Sequence, residues 1–190
     1  MSKARPRVQM PPFPPQQHFS PAQTPWHITF GTYGTRLHRS TAPTVDKQHN
    51  ERPKPFLPRN EIRVESDRER MNFPSRYFSR QQRLFIEVEL PSICIRGGWS
   101  YRTCAAGPDH VHLLCDVVPA VHGEKVRRLV KRWLGQSLIK RWPLQQGSTW
   151  WAEEGSNIAI RDEAYLNNCY AYIFNQRTTP TASRGVPAPE

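Results

Sequence analysis

Gly107-Pro108-Asp109-His110-Val111-His112-Leu113-Leu114-Cys115-Asp116-Val117 is the stretch on which the reading of the chain turns. Gly107-Pro108 is a turn signal. After it, Val111, Leu113, Leu114 and Val117 read as a buried strand. Side chains alternate across a strand, so His110 and His112 point to the same face. They stand about 7 Å apart by strand rise, and two imidazoles so placed can converge on one divalent metal ion. The competing reading is one satisfied core histidine and one surface histidine. Just upstream, Trp99 to Ala105 also reads as a strand, and the Gly-Pro turn folds the two into an antiparallel hairpin.

Working outward, residues 123–142 form the clearest helix. Val126, Leu129, Val130, Trp133 and Leu134 make its apolar stripe. Lys125, Arg127, Arg128, Lys131 and Arg132 crowd the other side, with little acid beyond Glu124. Such a face repels itself without a counterion and is read as a phosphate contact surface, against the alternative of a merely solvated face. Pro143 ends the helix. Trp150 and Trp151 can stack on unpaired bases, or fill the core. A helix from near Glu163 carries Ala164, Leu166, Tyr170, Ile173 and Phe174 at apolar spacing, and puts Tyr172 and Gln176 on one face as an i,i+4 pair. Upstream, Trp26 to Tyr33 reads as a strand. Residues 79–96 fit either strand alternation or a helix that Pro91 would break or kink. The polar, proline-punctuated residues 40–75 make a long connection. The order of elements gives an α+β domain, an antiparallel sheet with helices packed on one face.

The 190 residues carry 27 Lys and Arg against 16 Asp and Glu, a net charge of +11 and a pI near 10.0, which points to a polyanionic partner. No apolar run reaches the ~18 residues that span a bilayer, so no membrane partner is expected. Cys94, Cys104, Cys115 and Cys169 show no C-x-x-C spacing and, without a secretory signal, read as reduced thiols in a cytoplasmic protein. Residues 1–25 hold seven prolines and three basic residues and read as a disordered tail, as do residues 178–190.

His110-Val111-His112 followed by a helical Tyr172-Ile173-Phe174-Asn175-Gln176 resembles the HUH single-tyrosine transposases. The stretch Trp26-His27-Ile28-Thr29-Phe30-Gly31-Thr32-Tyr33-Gly34-Thr35-Arg36-Leu37-His38 is similar to the opening strand of one branch, the REP-associated tyrosine transposases. Gly147-Ser148-Thr149-Trp150-Trp151 also resembles the segment before their last strand, which implies that strand within 157–161. The resemblance covers residues 26–177. It implies a ferredoxin-like or RRM-like sheet, a helix over 79–96 stopping at Gly97-Gly98, the histidines on a central strand, and a last helix bringing Tyr172 over them. It implies that His110, His112 and Gln176 hold Mg²⁺ or Mn²⁺. Tyr172 would attack a DNA phosphodiester, giving a 5′-phosphotyrosine and a 3′-OH that can reverse the step. Single-stranded or hairpin (REP-like) DNA is the implied substrate, and a nucleoid-associated monomer or homodimer the implied state. Tyr170 is also available, but Tyr172 fits the motif register. Asp109 is expected on the opposite strand face, as a turn residue. Two other functions stay open: a non-catalytic nucleic-acid-binding relative on an RRM-like sheet, and a metal-dependent hydrolytic nuclease in which Tyr172 only packs.

Overall fold

The near-continuous apolar run around the histidines forms the second-from-edge strand of a four-stranded antiparallel sheet. The structure, a computed structural model, describes residues 15–20, 22–35, 65–66 and 68–178. The tail and connection readings for 1–14, 40–64 and 179–190 lie outside these residues. In chain order the elements are β1 (Thr24–Thr32), α1 (Arg80–Gly97), β2 (Ser100–Ala106), β3 (His110–Val117), α2 (Gly123–Arg141), β4 (Trp151–Ala159) and α3 (Glu163–Asn175). Spatial order is β2-β3-β1-β4, with every neighbouring pair antiparallel. This is the βαββαβ ferredoxin-like arrangement, with one further helix at its end. The α+β class and the antiparallel sheet are as the sequence predicts.

The helices do not all share a face. Val111, Leu113, Cys115 and Val117 of β3 join Ile28 and Phe30 of β1 in a core with α1 and α2. Leu114 and Ala105 point the other way, into a smaller cluster with Leu166, Cys169, Tyr170 and Ile173 of α3. The expectation of helices on one face is corrected accordingly: α1 and α2 cover one side, and α3 crosses the other. The cause is visible in β3, where every residue from Val111 to Val117 is buried. A strand buried on both faces loses its polar alternation.

The ambiguity of 79–96 resolves as helix. Ser79 and Gln82 form a reciprocal capping box at its start, and Gly98, with φ of 69°, ends it in the left-handed conformation. The buried residues Ile86, Leu90, Ile93 and Cys94 follow helical spacing, while Val88 and Ile95 face out. Pro91 lies inside the helix, where it cannot supply an N–H to the Glu87 carbonyl. The Cys104 thiol of β2 donates to that carbonyl instead, at 3.6 Å. Burial also pushes the Cys104 thiol up to about 12, so it stays a protonated donor.

Two further readings change. The last strand runs from Trp151 to Ala159 rather than within 157–161. Its middle, from Glu153 to Ser156, is polar and exposed at the sheet edge, and gives no hydrophobic signal. Residues 15–20, assigned with the tail, are fixed against α3. Asn167 accepts from the Gln17 N–H at 2.8 Å and donates to the Gln17 carbonyl at 3.0 Å. Arg102 donates to Gln17 Oε1 and to the His18 carbonyl while pairing with Asp116 at 2.6 Å. Phe19 packs on the α3 cluster. These anchors come from residues far away in sequence, so composition alone could not announce them.

Candidate active site

Strand register sets the site. His112 lies opposite Thr29 on β1, and His110 lies opposite Gly31, both on the α3 side of the sheet. The two imidazole rings stand 4.8 Å apart, centroid to centroid. Each is held at Nδ1, the nitrogen nearer the backbone. His110 Nδ1 is 2.6 Å from Asp109 Oδ1. His112 Nδ1 is 2.9 Å from Thr29 Oγ1 and 3.0 Å from His27 Nε2. The expectation that Asp109 faces away is corrected. It precedes the first residue of β3, so strand alternation does not govern it, and its carboxylate bends back to the neighbouring ring.

The tyrosines separate clearly. Tyr172 is 53% exposed, and its ring sits against His112 with centroids 5.6 Å apart. Tyr170 is only 9% exposed, packs in the α3 cluster and stacks on Phe174. About 100° of helix rotation per residue puts the two on different sides of α3. Gln176, one turn beyond Tyr172, is the exposed C-cap of α3. Thr178 follows, its N–H donating to buried Glu87 at 2.7 Å and its hydroxyl to the Ala106 carbonyl at 3.1 Å, which ties the end of α3 to α1 and β2.

Among the described residues no three His, Cys, Asp or Glu side chains are gathered closely enough to hold a metal ion by themselves. The donor set still fits one that is completed by other oxygens. Both imidazoles are anchored through Nδ1, in one case by a carboxylate, as outer-shell partners orient metal-binding histidines.

The expected DNA-contact residues divide. Lys125, Arg128 and Arg132 are exposed on α2, on the sheet face opposite the histidines. Arg127 is buried and donates to the Gly155 carbonyl. Lys131 donates to the Ala152 and Glu153 carbonyls at 2.6 and 2.8 Å, and burial lowers its pKa. These two cations hold the edge strand β4 rather than standing free on the helix surface. Trp150 and Trp151 take the core-filling arrangement in this fold. They are 5% and 8% exposed, within the core, with Trp151 edge-on to Phe30 and its indole N–H donating to the Lys131 carbonyl at 2.8 Å.

No protein-family model and no curated protein matches the chain. Among solved structures it is similar to that of a proposed transposase from Deinococcus radiodurans R1. Identity is 16%, coverage is 93% of this chain and 98% of that one, and the TM-score is 0.43.

Sequence reasoning missed His27 and Thr29 as parts of the site, and misplaced Asp109. Their one signal is the His-x-Thr alternation on β1. It becomes meaningful only when the register that puts Thr29 opposite His112 is known.

Proposed function

We propose that the protein is a single-tyrosine DNA transposase or endonuclease. It would cleave and rejoin single-stranded DNA through a 5′-phosphotyrosine, at hairpin (REP-like) elements. The observation that carries this reading is the half-exposed Tyr172 ring set against His112, beside His110, while Tyr170 is locked in the core. Tyr172 Oη attacks phosphorus in line. A P–O bond to the phenol forms as its O–H proton passes to solvent, the bond to the 3′ oxygen breaks, and that oxygen takes a proton from solvent. The ester keeps the energy of the original linkage, so a 3′-OH can reverse the step without nucleotide hydrolysis. His110, His112 and the Gln176 amide oxygen would hold Mg²⁺ or Mn²⁺, which supplies charge neutralisation at the phosphate. His27, Thr29 and Asp109 orient the two rings. Lys125, Arg128 and Arg132 would contact flanking DNA backbone.

The RRM-like binding alternative finds less support. Such sheets display aromatic residues on their open central strands. On β1, Trp26 and Phe30 are core residues packed with α1 and α2, and the α3 side carries His27 and Thr29. The test is to digest the protein after reaction with a hairpin-bearing single strand and weigh the peptides. A nucleotide 5′-phosphate on the peptide holding Tyr172 is expected. Free 5′-phosphate ends with no modified peptide would favour the hydrolytic nuclease.

A further inference from the structure

The unassigned chemistry of the site lies behind His112. Thr29 Oγ1, His27 Nε2 and His112 Nδ1 form a triangle with sides of 2.9, 3.0 and 3.2 Å. Three polar atoms this close restrict where protons can be. If neither nitrogen carried one, two lone pairs would face each other at 3.0 Å. If both did, two N–H groups would collide. One nitrogen must donate and the other accept, while the Thr29 hydroxyl accepts from the first and donates to the second.

We infer that His27 and Thr29 are positioning residues that hold His112 with its proton on Nδ1, so that Nε2 carries the lone pair. The His27 Nε2 is then the acceptor, and the hydroxyl closes the triangle. The arrangement at the neighbouring histidine has the same sense. Asp109 Oδ1 lies 2.6 Å from His110 Nδ1, and with the oxygen as acceptor the proton of that hydrogen bond sits on Nδ1. In both rings Nε2, rather than Nδ1, then carries the lone pair. The inference rests on the reading of His110 and His112 as a ligand pair, since only a ring nitrogen with a lone pair can serve a metal. The tautomer itself can be read without metal.

The experiment uses the full chain, metal-free, with ¹⁵N-labelled histidine. Two-bond ¹H–¹⁵N correlation spectra report which ring nitrogen of His112 bears the proton. Mn²⁺ binding is measured on the same samples. Wild type should show His112 protonated on Nδ1. The double variant His27→Ala, Thr29→Val should shift the proton to Nε2 or mix the two forms, and weaken Mn²⁺ about 10- to 100-fold. His27→Gln, whose amide oxygen can replace the Nε2 acceptor, should restore both readouts, as loss of packing alone would not predict. A wild-type His112 protonated on Nε2 would overturn the inference. So would an unchanged pattern in the double variant, provided its thermal melt shows it folded. Should it not fold, Thr29→Val alone carries the test, with the same two outcomes. If the tautomers behave as stated while His112→Ala binds Mn²⁺ as tightly as wild type, the ligand-pair reading fails and the positioning role stands.

Discussion

The Tyr172 ring stands nearly perpendicular to the His112 ring, at 76°, although sixty residues separate them and they come from different layers of the fold. The two rings meet because α3 crosses the face of the sheet that α1 and α2 leave uncovered. Leu166, Cys169, Tyr170 and Ile173 pin the helix there, and the ~100° step of a helix then turns Tyr172 toward the histidines.

The metal-site reading makes a direct demand on β3. His110→Ala or His112→Ala should abolish cleavage in Mg²⁺ or Mn²⁺ and leave the fold and most DNA binding intact. Asp109→Asn should weaken metal binding about 10-fold or more while cleavage falls in parallel. Cleavage assays with matched circular dichroism check this, and an alanine variant cutting at the wild-type rate would remove the pair from the chemistry.

The basic helix should divide by function. Charge reversal at Arg128 and Arg132 should weaken single-strand binding broadly, and flatten the salt dependence of log K by roughly 0.7 for each phosphate that is no longer neutralised. Arg127→Ala should instead cost about 0.5–1.5 kcal/mol of stability, the net worth of its hydrogen bond to the Gly155 carbonyl. Salt titrations of binding and urea melts separate the two effects.

The aromatic pair at the start of β4 belongs to the core. Trp151→Ala should destabilise the protein by about 3–5 kcal/mol. Trp151→Phe should remain folded and bind DNA as wild type does, since the ring offers no free face. A drop in affinity in the folded phenylalanine variant would return this residue to the DNA interface.

How much of this was legible follows from where the signals lie. The histidine strand, the hairpin before it, α2 and α3 were readable because their patterns are local: alternation, a Gly-Pro turn, an apolar stripe. α1 was ambiguous because Leu84, Ile86, Val88 and Leu90 alternate like a strand, and the cap at Ser79 and the thiol that compensates Pro91 are needed to decide. The side of the sheet taken by α3, the docking of residues 15–20 and the use of Arg127 and Lys131 were not readable. Each depends on segments distant in sequence meeting in space. A cation that caps a strand carbonyl has the same sequence signature as one that meets a phosphate. The approach of His27 and Thr29 to His112 is a matter of register, which alternation on a single strand does not reveal.

The four cysteines should behave as inert core thiols. Cys94, Cys104, Cys115 and Cys169 are all free and buried. Burial pushes Cys104 up to about 12 and Cys169 to about 11. A disulfide-exchange reagent should label none of them in the native protein at pH 8, and all four together on unfolding. Because the folded thiols have the higher pKa, their contribution to stability is intact below about pH 9 and is lost as pH rises from there toward 12. Rapid native-state labelling would contradict the packing of Cys104 against Glu87.

The central claim, that Tyr172 is the nucleophile, is tested most directly by trapping the covalent product. A hairpin-bearing single strand labelled 3′ of the cut is incubated with protein and Mn²⁺, then boiled in detergent. The wild-type protein and Tyr170→Phe should retain the label on the polypeptide, and Tyr172→Phe should not, although that substitution removes one oxygen and keeps the ring. An adduct that persists in Tyr172→Phe and vanishes in Tyr170→Phe would contradict the account, as would a cut substrate that yields free 5′-phosphate and never an adduct.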